Sequence, residues 1–152
     1  MTDYLEITTR KLDLEEITQL VNLPECGAIS VFIGTTRNNM NGKLVKRLEY
    51  EAYNNMAIKE MKKICDQIRL KWSDIRNIAI FHRIGEVQVQ QSSIIIAISS
   101  PHRKDSLEAV DYCINEFKRT VPIWKKEWYD DSTYVWKENC ECIHHEKKIS
   151  TN

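Results

Sequence analysis

This sequence of 152 residues contains little glycine and little proline, with four and three residues respectively. Such a composition excludes a collagen-like, linker-rich or low-complexity chain. Its 22 basic and 22 acidic side chains cancel to a formal net charge of zero. A balanced charge argues against binding a nucleic acid over a wide surface, although it permits a local anion site.

Long apolar runs are also missing. The longest, residues 94–98, has the length of a strand and falls well short of the roughly 20 residues that span a membrane. The first residues lack the basic and then apolar pattern of a signal peptide. Five cysteines are present, of which Cys65 and Cys113 fall on apolar faces of predicted helices. We therefore expect a cytosolic protein with reduced core thiols.

Common catalytic and metal motifs are absent. The sequence has no Gly-rich phosphate loop, no G-x-S-x-G, no H-E-x-x-H and no paired C-x-x-C. Cys140 and Cys142, followed by His144 and His145, offer metal ligands, but their spacing does not match a standard zinc finger. We expect neither a metal nor another cofactor.

Hydrophobic periodicity predicts an α+β, or mixed α/β, fold. Strand-like runs lie at 4–10, 28–33, 45–52, 78–81, 93–99, 123–129 and 134–137, and the run at 94–98 is expected to be covered on both faces. Helices are predicted after Asp13, whose spacing to Glu16 resembles a capping box, and after a cap at Asn54 or Asn55. The second of these helices has an apolar stripe of Ala57, Met61, Ile64, Ile68 and Trp72. A third helix runs from about Lys104 to Pro122 with an apolar stripe of Leu107, Val110, Ile114, Phe117 and Val121. The length predicts one domain over 1–142 and a polar tail at 143–152.

Several cations stand at the ends of predicted elements. Arg37 follows a strand, and His102 and Arg103 precede the third helix, where a helix N-terminus favours an anion. Lys118 and Lys125 flank the end of that helix and can act as acid, base or nucleophile. Structural explanations stand beside these: a lysine also stabilises a helix C-terminus, and the His-Arg pair can bind nearby carboxylates.

The segments that carry these cations resemble a known family. The matching stretches are GAISVFIGTTRNN (27–39), LEYEAY (48–53), FHRIGEV (81–87), SSPHR (99–103), SLEAV (106–110) and KRTVPIWKKE (118–127). They are similar to the MoaE-type family, the large subunits of molybdopterin synthase, and look closest to its eukaryotic members. The resemblance runs from about residue 27 to residue 142.

The resemblance implies a particular reaction and assembly. Sulfur arrives as a thiocarboxylate on the C-terminal Gly-Gly tail of a small ubiquitin-like subunit. It is transferred to cyclic pyranopterin monophosphate, which becomes the molybdopterin dithiolene. The implied assembly is a homodimer of large subunits with one small subunit at each end, and the implied fold is an α/β hammerhead with an added β-rich subdomain.

The same resemblance assigns roles to individual residues. Lys118 and Lys125 match the two lysines at the end of the inserted tail and the reacting pterin. Arg37, His102 and Arg103 match substrate-binding positions. The neighbours that match the lining of the same pocket are Thr35, Thr36, Lys126 and Glu127.

The sequence leaves two other functions to consider, a docking module and a nucleotide hydrolase. A non-catalytic module that docks a Gly-Gly tail needs no phosphate-binding cations, so their presence argues against it. A nucleotide hydrolase is disfavoured because the sequence lacks a phosphate loop and clustered carboxylates for Mg²⁺. His82, on an apolar strand, is expected to be a core residue.

Overall fold

The computed structural model of this chain describes residues 1–138, which form nine strands in two sheets and three helices. The strands are β1 (Asp3–Thr8), β2 (Ala28–Thr35), β3 (Asn39–Met40), β4 (Lys43–Ala52), β5 (Ile78–Arg83), β6 (Gly85–Gln88), β7 (Ser92–Ser100), β8 (Ile123–Tyr129) and β9 (Tyr134–Glu138). The helices are α1 (Leu14–Val21), α2 (Asn54–Lys71) and α3 (Arg103–Thr120). This architecture confirms the α+β prediction. The predicted tail and the cysteines and histidines at 140–145 lie outside the described residues.

Sheet 1 has the strand order β1-β5-β7-β2, with β1 parallel to β5 and the other neighbours antiparallel. Helices α2 and α3 pack on one face, and α1 packs on the other. The apolar run 94–98 in β7 is buried along its whole length, which confirms that both of its faces are covered. Sheet 1 is thus the hydrocarbon scaffold of the protein.

Helix α1 begins where the capping pattern predicts. The Asp13 carboxylate accepts a hydrogen bond from the backbone N–H of Glu16 at 3.0 Å. The Glu16 side chain binds Arg10 instead of reaching back to the cap, so half of the predicted capping box forms. Ile17 and Val21 are buried and hold α1 against the sheet.

Helix α2 carries the predicted apolar stripe, since Ala57, Met61, Ile64 and Ile68 are all buried. Its predicted cap is wrong. Asn54 and Asn55 already lie in the first helical turn, and Tyr53 occupies the capping position without a side-chain hydrogen bond. No helix within residues 1–138 is long and apolar enough to cross a membrane.

Helix α3 differs from its predicted packing at one position. Leu107 is 58% exposed, so its assignment to the core is wrong. The buried face includes small residues: Ser106 and Ala109 are fully buried, and the Ser106 hydroxyl lies 2.7 Å from that of Ser30 on β2. Successive side chains on a helix are about 100° apart, so a face centred on these small residues turns Leu107 to the surface.

Sheet 2 has the strand order β3-β4-β8-β9, and β6 also pairs with β4. Strands β3 and β6 were not predicted. Gly85 has a φ of +80°, a conformation that glycine adopts readily, and it begins β6. Strand β2 extends to Thr35, beyond the predicted end, and brings its last residues to the junction between the two sheets.

Candidate functional site

A cavity of about 340 Å³ lies where the ends of β2 and α3 meet sheet 2. Strands β2, β4, β7 and β8 and the last turns of α3 contribute to its wall. A Cβ atom added to Gly34 would lie 2.6 Å from the Ile94 side chain, so glycine lets β2 pass close to β7 here. The cavity wall at this point is therefore backbone.

Three of the predicted cations line this cavity. Lys118 lies in the last turn of α3, Lys125 lies on β8, and Arg37 follows the end of β2. Each comes from a different element, and only the fold brings them together. Cations in a partly desolvated pocket bind and stabilise anions strongly. The cavity is suited to an anionic ligand.

His82 also lines the cavity, although it is only 4% exposed. Its Nδ1 lies 2.7 Å from the carbonyl oxygen of Arg83, and its ring stacks on Phe117 at 5.6 Å between centroids. Burial lowers the pKa of His82 to about 4, so the ring is neutral at pH 7. The prediction of a core histidine is confirmed, while its place in the cavity wall was not predicted.

The rest of the wall is apolar and aromatic. Phe32, Ile94 and Ile114 contribute hydrocarbon, and Tyr50 packs edge-on against His82 at 4.9 Å. Burial raises the pKa of Tyr50, which therefore stays neutral at pH 7. Cations thus share the cavity with uncharged rings, an arrangement that fits a flat ligand with a charged end.

Two threonines follow the glycine in the wall. Thr35 lines the cavity and also a shallower surface depression with Arg37 and Asn38. Thr36 is only 3% exposed and lines the depression but not the cavity. Its backbone N–H donates to the carbonyl oxygen of Gln91 at 3.1 Å, which fixes the turn.

Lys126 lies on the opposite face of β8 from Lys125, because side chains alternate along a strand. Its ammonium group lies over three aromatic rings, 3.8 Å from the centroid of Tyr134, 4.5 Å from Trp128 and 5.4 Å from Trp136. The structure does not bring this lysine to the cavity with Lys125.

Glu127 stands on the same face as Lys125 but is fully buried behind the wall. One of its oxygens accepts a hydrogen bond from the Tyr129 hydroxyl at 2.8 Å and forms a salt bridge with Lys137 at 3.1 Å. The other oxygen lies 3.7 Å from Lys125 Nζ. Sequence patterns did not reveal Lys137, since only the pairing of β8 with β9 places it here.

His102 and Arg103 lie at the opposite end of α3, at the N-cap position and the first helical position, and both are exposed. Fifteen residues of helix separate Arg103 from Lys118, which corresponds to about 22 Å at 1.5 Å per residue. Within one chain, the structure therefore does not bring this pair to the cavity that contains Lys118 and Lys125.

The cysteines of the described part of the chain are free, and its side chains form no metal site. Cys65 and Cys113 are buried free thiols, as predicted, and burial raises the pKa of Cys65 to about 12. Residues 1–138 contain no cluster of three or more His, Cys, Asp or Glu side chains that could hold a metal ion.

Comparison with known proteins identifies a family match. The family model described as "MoaE protein" matches residues 7–120, which is most of the chain. This range begins near the end of β1 and runs to the end of α3. It therefore includes Lys118, Arg37 and the His-Arg pair, while β8 and β9 follow it.

Individual relatives extend the match to nearly the whole chain. The molybdopterin synthase catalytic subunit of Taeniopygia guttata is 57% identical over 141 residues, covering 93% of this chain and 90% of that protein. The subunit of the same name from Homo sapiens is 56% identical, covering 93% and 74% respectively. The crystal structure of molybdopterin synthase from Staphylococcus aureus aligns with a TM-score of 0.83 and 39% identity, covering 87% of this chain and 95% of that chain.

Proposed function

This chain belongs to the MoaE family, and from that premise we propose that it is the catalytic subunit of a molybdopterin synthase. It takes sulfur from the C-terminal thiocarboxylate of a small ubiquitin-like subunit and transfers it to cyclic pyranopterin monophosphate. The product is the dithiolene of molybdopterin. The free cysteines of the described chain fit a reducing compartment, and we place the reaction in the cytosol.

The observation that carries this proposal is the set of three cations in one cavity with uncharged rings. The substrate phosphate, the thiocarboxylate and the carboxylate left after transfer are all anions. Arg37, Lys118 and Lys125 provide positive charge for them. His82 and Tyr50, which are neutral at pH 7, provide an uncharged wall for the pterin ring.

The reaction proceeds through an intermediate in which the small subunit, the sulfur carrier, is covalently joined to the substrate. The thiocarboxylate sulfur attacks an oxygen-bearing carbon of the pterin side chain. A carbon–sulfur bond forms, the carbon–oxygen bond breaks, and the oxygen takes up a proton and leaves as water, so that the carrier is held as a thioester. Water then cleaves the thioester, which leaves sulfur on the pterin and releases the carrier as a carboxylate. Lys118 stabilises the acyl oxygen and moves a proton. A second charged carrier supplies the second sulfur, with opening of the cyclic phosphate between the two transfers.

A second copy of the chain supplies His102 and Arg103. Strand β2 is an edge strand of sheet 1, and Ile29, Val31 and Ile33 leave 36–39% of their surface exposed on one face. Edge strands with apolar faces are suited to pairing with another chain. An antiparallel β2–β2 contact about a two-fold axis is self-complementary and extends the sheet across the dimer.

This contact joins the two separated parts of the site. The Gly34 end of one β2 lies beside the Ala28 end of the other. The latter is next to His102, since Ala28 pairs with Ser100 and Gly27 N–H donates to the carbonyl oxygen of Pro101 at 3.2 Å. Each cavity thus receives His102 and Arg103 from the second copy, where they bind the substrate phosphate beside Arg37.

A mixing experiment tests the shared site. Lys118→Ala and Arg103→Ala chains are each inactive alone in our proposal. Refolded together in equal amounts, half of the dimers are mixed and each mixed dimer has one intact site, so about a quarter of wild-type activity returns. A site formed within one chain would give no recovery, because every chain carries a defect.

A single-turnover assay tests the function itself. The chain is mixed with the small subunit bearing a Gly-Gly thiocarboxylate and with cyclic pyranopterin monophosphate, and mass spectrometry follows both. We expect the carrier to lose sulfur as a dithiolene appears on the pterin. A carrier that binds tightly but keeps its thiocarboxylate would instead identify the chain as a docking module.

A further inference from the structure

We infer that Lys137 is a positioning residue for the site: it holds the buried carboxylate of Glu127 so that Lys125 can present its ammonium group to the cavity. The functional meaning of this inference rests on the proposed sulfur transfer. Its geometry rests on the contacts of β8 and β9 and is independent of the reaction.

Glu127 is fully buried, so its charge must be compensated inside the protein. The compensation is uneven between its two oxygens. Oε2 forms a salt bridge with Lys137 Nζ at 3.1 Å and accepts a hydrogen bond from the Tyr129 hydroxyl at 2.8 Å. Oε1 accepts no hydrogen bond from residues 1–138, and Lys125 Nζ lies 3.7 Å away from it.

The register of sheet 2 produces this arrangement. Lys125 and Lys137 are direct partners in the antiparallel pairing of β8 with β9, so both point to the face that contains Glu127. One carboxylate therefore lies between two ammonium groups. The closer contact belongs to Lys137, and the longer one belongs to the lysine in the cavity wall.

This difference in distance has a chemical consequence. Because Lys137 and Tyr129 already satisfy one oxygen, Glu127 keeps a counter-ion when Lys125 moves towards a bound anion. Without Lys137, the buried carboxylate would depend on Lys125 and draw it out of the cavity. Lys137 thus acts on the reaction through Glu127, without contacting the substrate.

The electrostatic effects of the two neighbours on Lys125 have opposite signs. Removing the Lys137 cation takes away repulsion, so the ammonium form of Lys125 persists to higher pH. Removing the Glu127 anion leaves two cations facing each other, so Lys125 loses its proton at lower pH. Within residues 1–138, further groups that line the cavity with Lys125 include Tyr50 on β4, Lys118 on α3, His82 on β5 and Arg37 after β2, and they are the same in every variant.

The test measures the titration of Lys125 directly in the full chain. NMR of ¹³C-labelled lysine follows the Cε resonance of Lys125 from pH 7 to pH 12, and Lys125→Arg identifies the signal. We expect the titration midpoint to rise in Lys137→Met and to fall in Glu127→Gln. Lys137→Arg keeps the cation and stays near wild type, as does Lys63→Met, the control on the exposed side of α2.

The double variant keeps the test decisive if Lys137→Met does not fold. Glu127→Gln with Lys137→Met should titrate at higher pH than Glu127→Gln alone, because one cation has been removed. Single-turnover rates should show the same order in their pH profiles, with Lys137→Arg restoring the wild-type profile.

Two outcomes separate this inference from the proposed function. Unchanged midpoints, or shifts in the same direction for both single variants, would overturn the role of Lys137 even if wild-type chains transfer sulfur. Opposite shifts in a chain that transfers no sulfur would uphold the electrostatic arrangement and reject the proposed reaction.

Discussion

The two sheets bury different kinds of side chain. In sheet 1, β7 is enclosed by helices on both faces, and its centre is a run of isoleucines and alanine. In sheet 2, the fully buried side chain of β8 is a carboxylate, Glu127, held between two lysines. Because the apolar core of sheet 1 is rigid, it can hold charged groups at its edge while the cavity stays open. We therefore expect stability to depend mainly on sheet 1, and activity to depend on the charged side chains where the two sheets meet.

The largest expected effect is on activity, in the cavity at the junction of the two sheets. Lys118→Ala should reduce sulfur transfer by at least about 10²-fold, because it removes a cation and a proton carrier from the reacting end of the cavity. The melting temperature and the affinity for the small subunit should change little, since Lys118 lies at the end of α3. Single-turnover mass spectrometry and calorimetry measure the two effects. Normal turnover would remove Lys118 from the mechanism.

The second effect is on stability, within sheet 1. Ile96 is fully buried at the centre of β7, so Ile96→Ala should lower the free energy of unfolding by about 2–5 kcal/mol through lost burial and a new cavity. Urea denaturation measures the change. Turnover per folded molecule at low temperature should stay close to wild type. A stable Ile96→Ala chain that has lost turnover would contradict the separation between the sheets.

Sheet 1 and the helices could be predicted because the spacing of apolar residues along the sequence indicates which side chains are buried. The run at 94–98 and the stripe on α2 each gave the correct element and the correct inward face. The prediction for Leu107 is wrong although its apolar side chain and helical spacing indicate burial. The face of α3 that packs closely on β2 instead carries Ser106 and Ala109, whose small side chains allow the close contact. Apolar patterns do not show which side of a helix approaches most closely.

The site was less predictable because it depends on pairings between distant segments. The cavity that joins Arg37, Lys118 and Lys125 requires three elements to meet, and Lys137 enters only through the register of β8 with β9. The resemblance named Arg37, Lys118 and Lys125, which line one cavity, but it placed Lys126 with Lys125 although adjacent strand residues face opposite ways. His82 was predicted from its apolar surroundings, which do not show that a cavity adjoins it.

A third effect couples the two sheets through His82, which belongs to sheet 1 and lines the cavity. Its pKa is about 4 in the folded protein and 6.5 in the reference state, so the neutral ring is favoured by folding. This stabilisation is present above pH 6.5 and is lost as the pH falls towards 4, amounting to at most about 3 kcal/mol.

The measurement compares urea unfolding of wild type and His82→Gln between pH 7 and pH 4. We expect the wild-type free energy of unfolding to fall more steeply over this range, because the variant has no group to protonate at this position. Parallel curves would mean that His82 is already solvated, and the neutral wall assigned to the pterin ring would lose its support.

The smallest expected effect comes from substitutions on the two faces of β8, at Lys126 and at Lys125. Lys126 lies over Tyr134, Trp128 and Trp136, so Lys126→Ala should cost about 1 kcal/mol in unfolding free energy through lost cation–π contact. Lys126→Arg should retain most of that stability, and both variants should keep wild-type turnover. Lys125→Ala, one residue away, should show the reverse, with lost turnover and little change in stability. A stable Lys126→Ala chain without turnover would instead place Lys126 on the substrate, as the resemblance implies, and would mean that alternation along β8 does not decide which lysine acts.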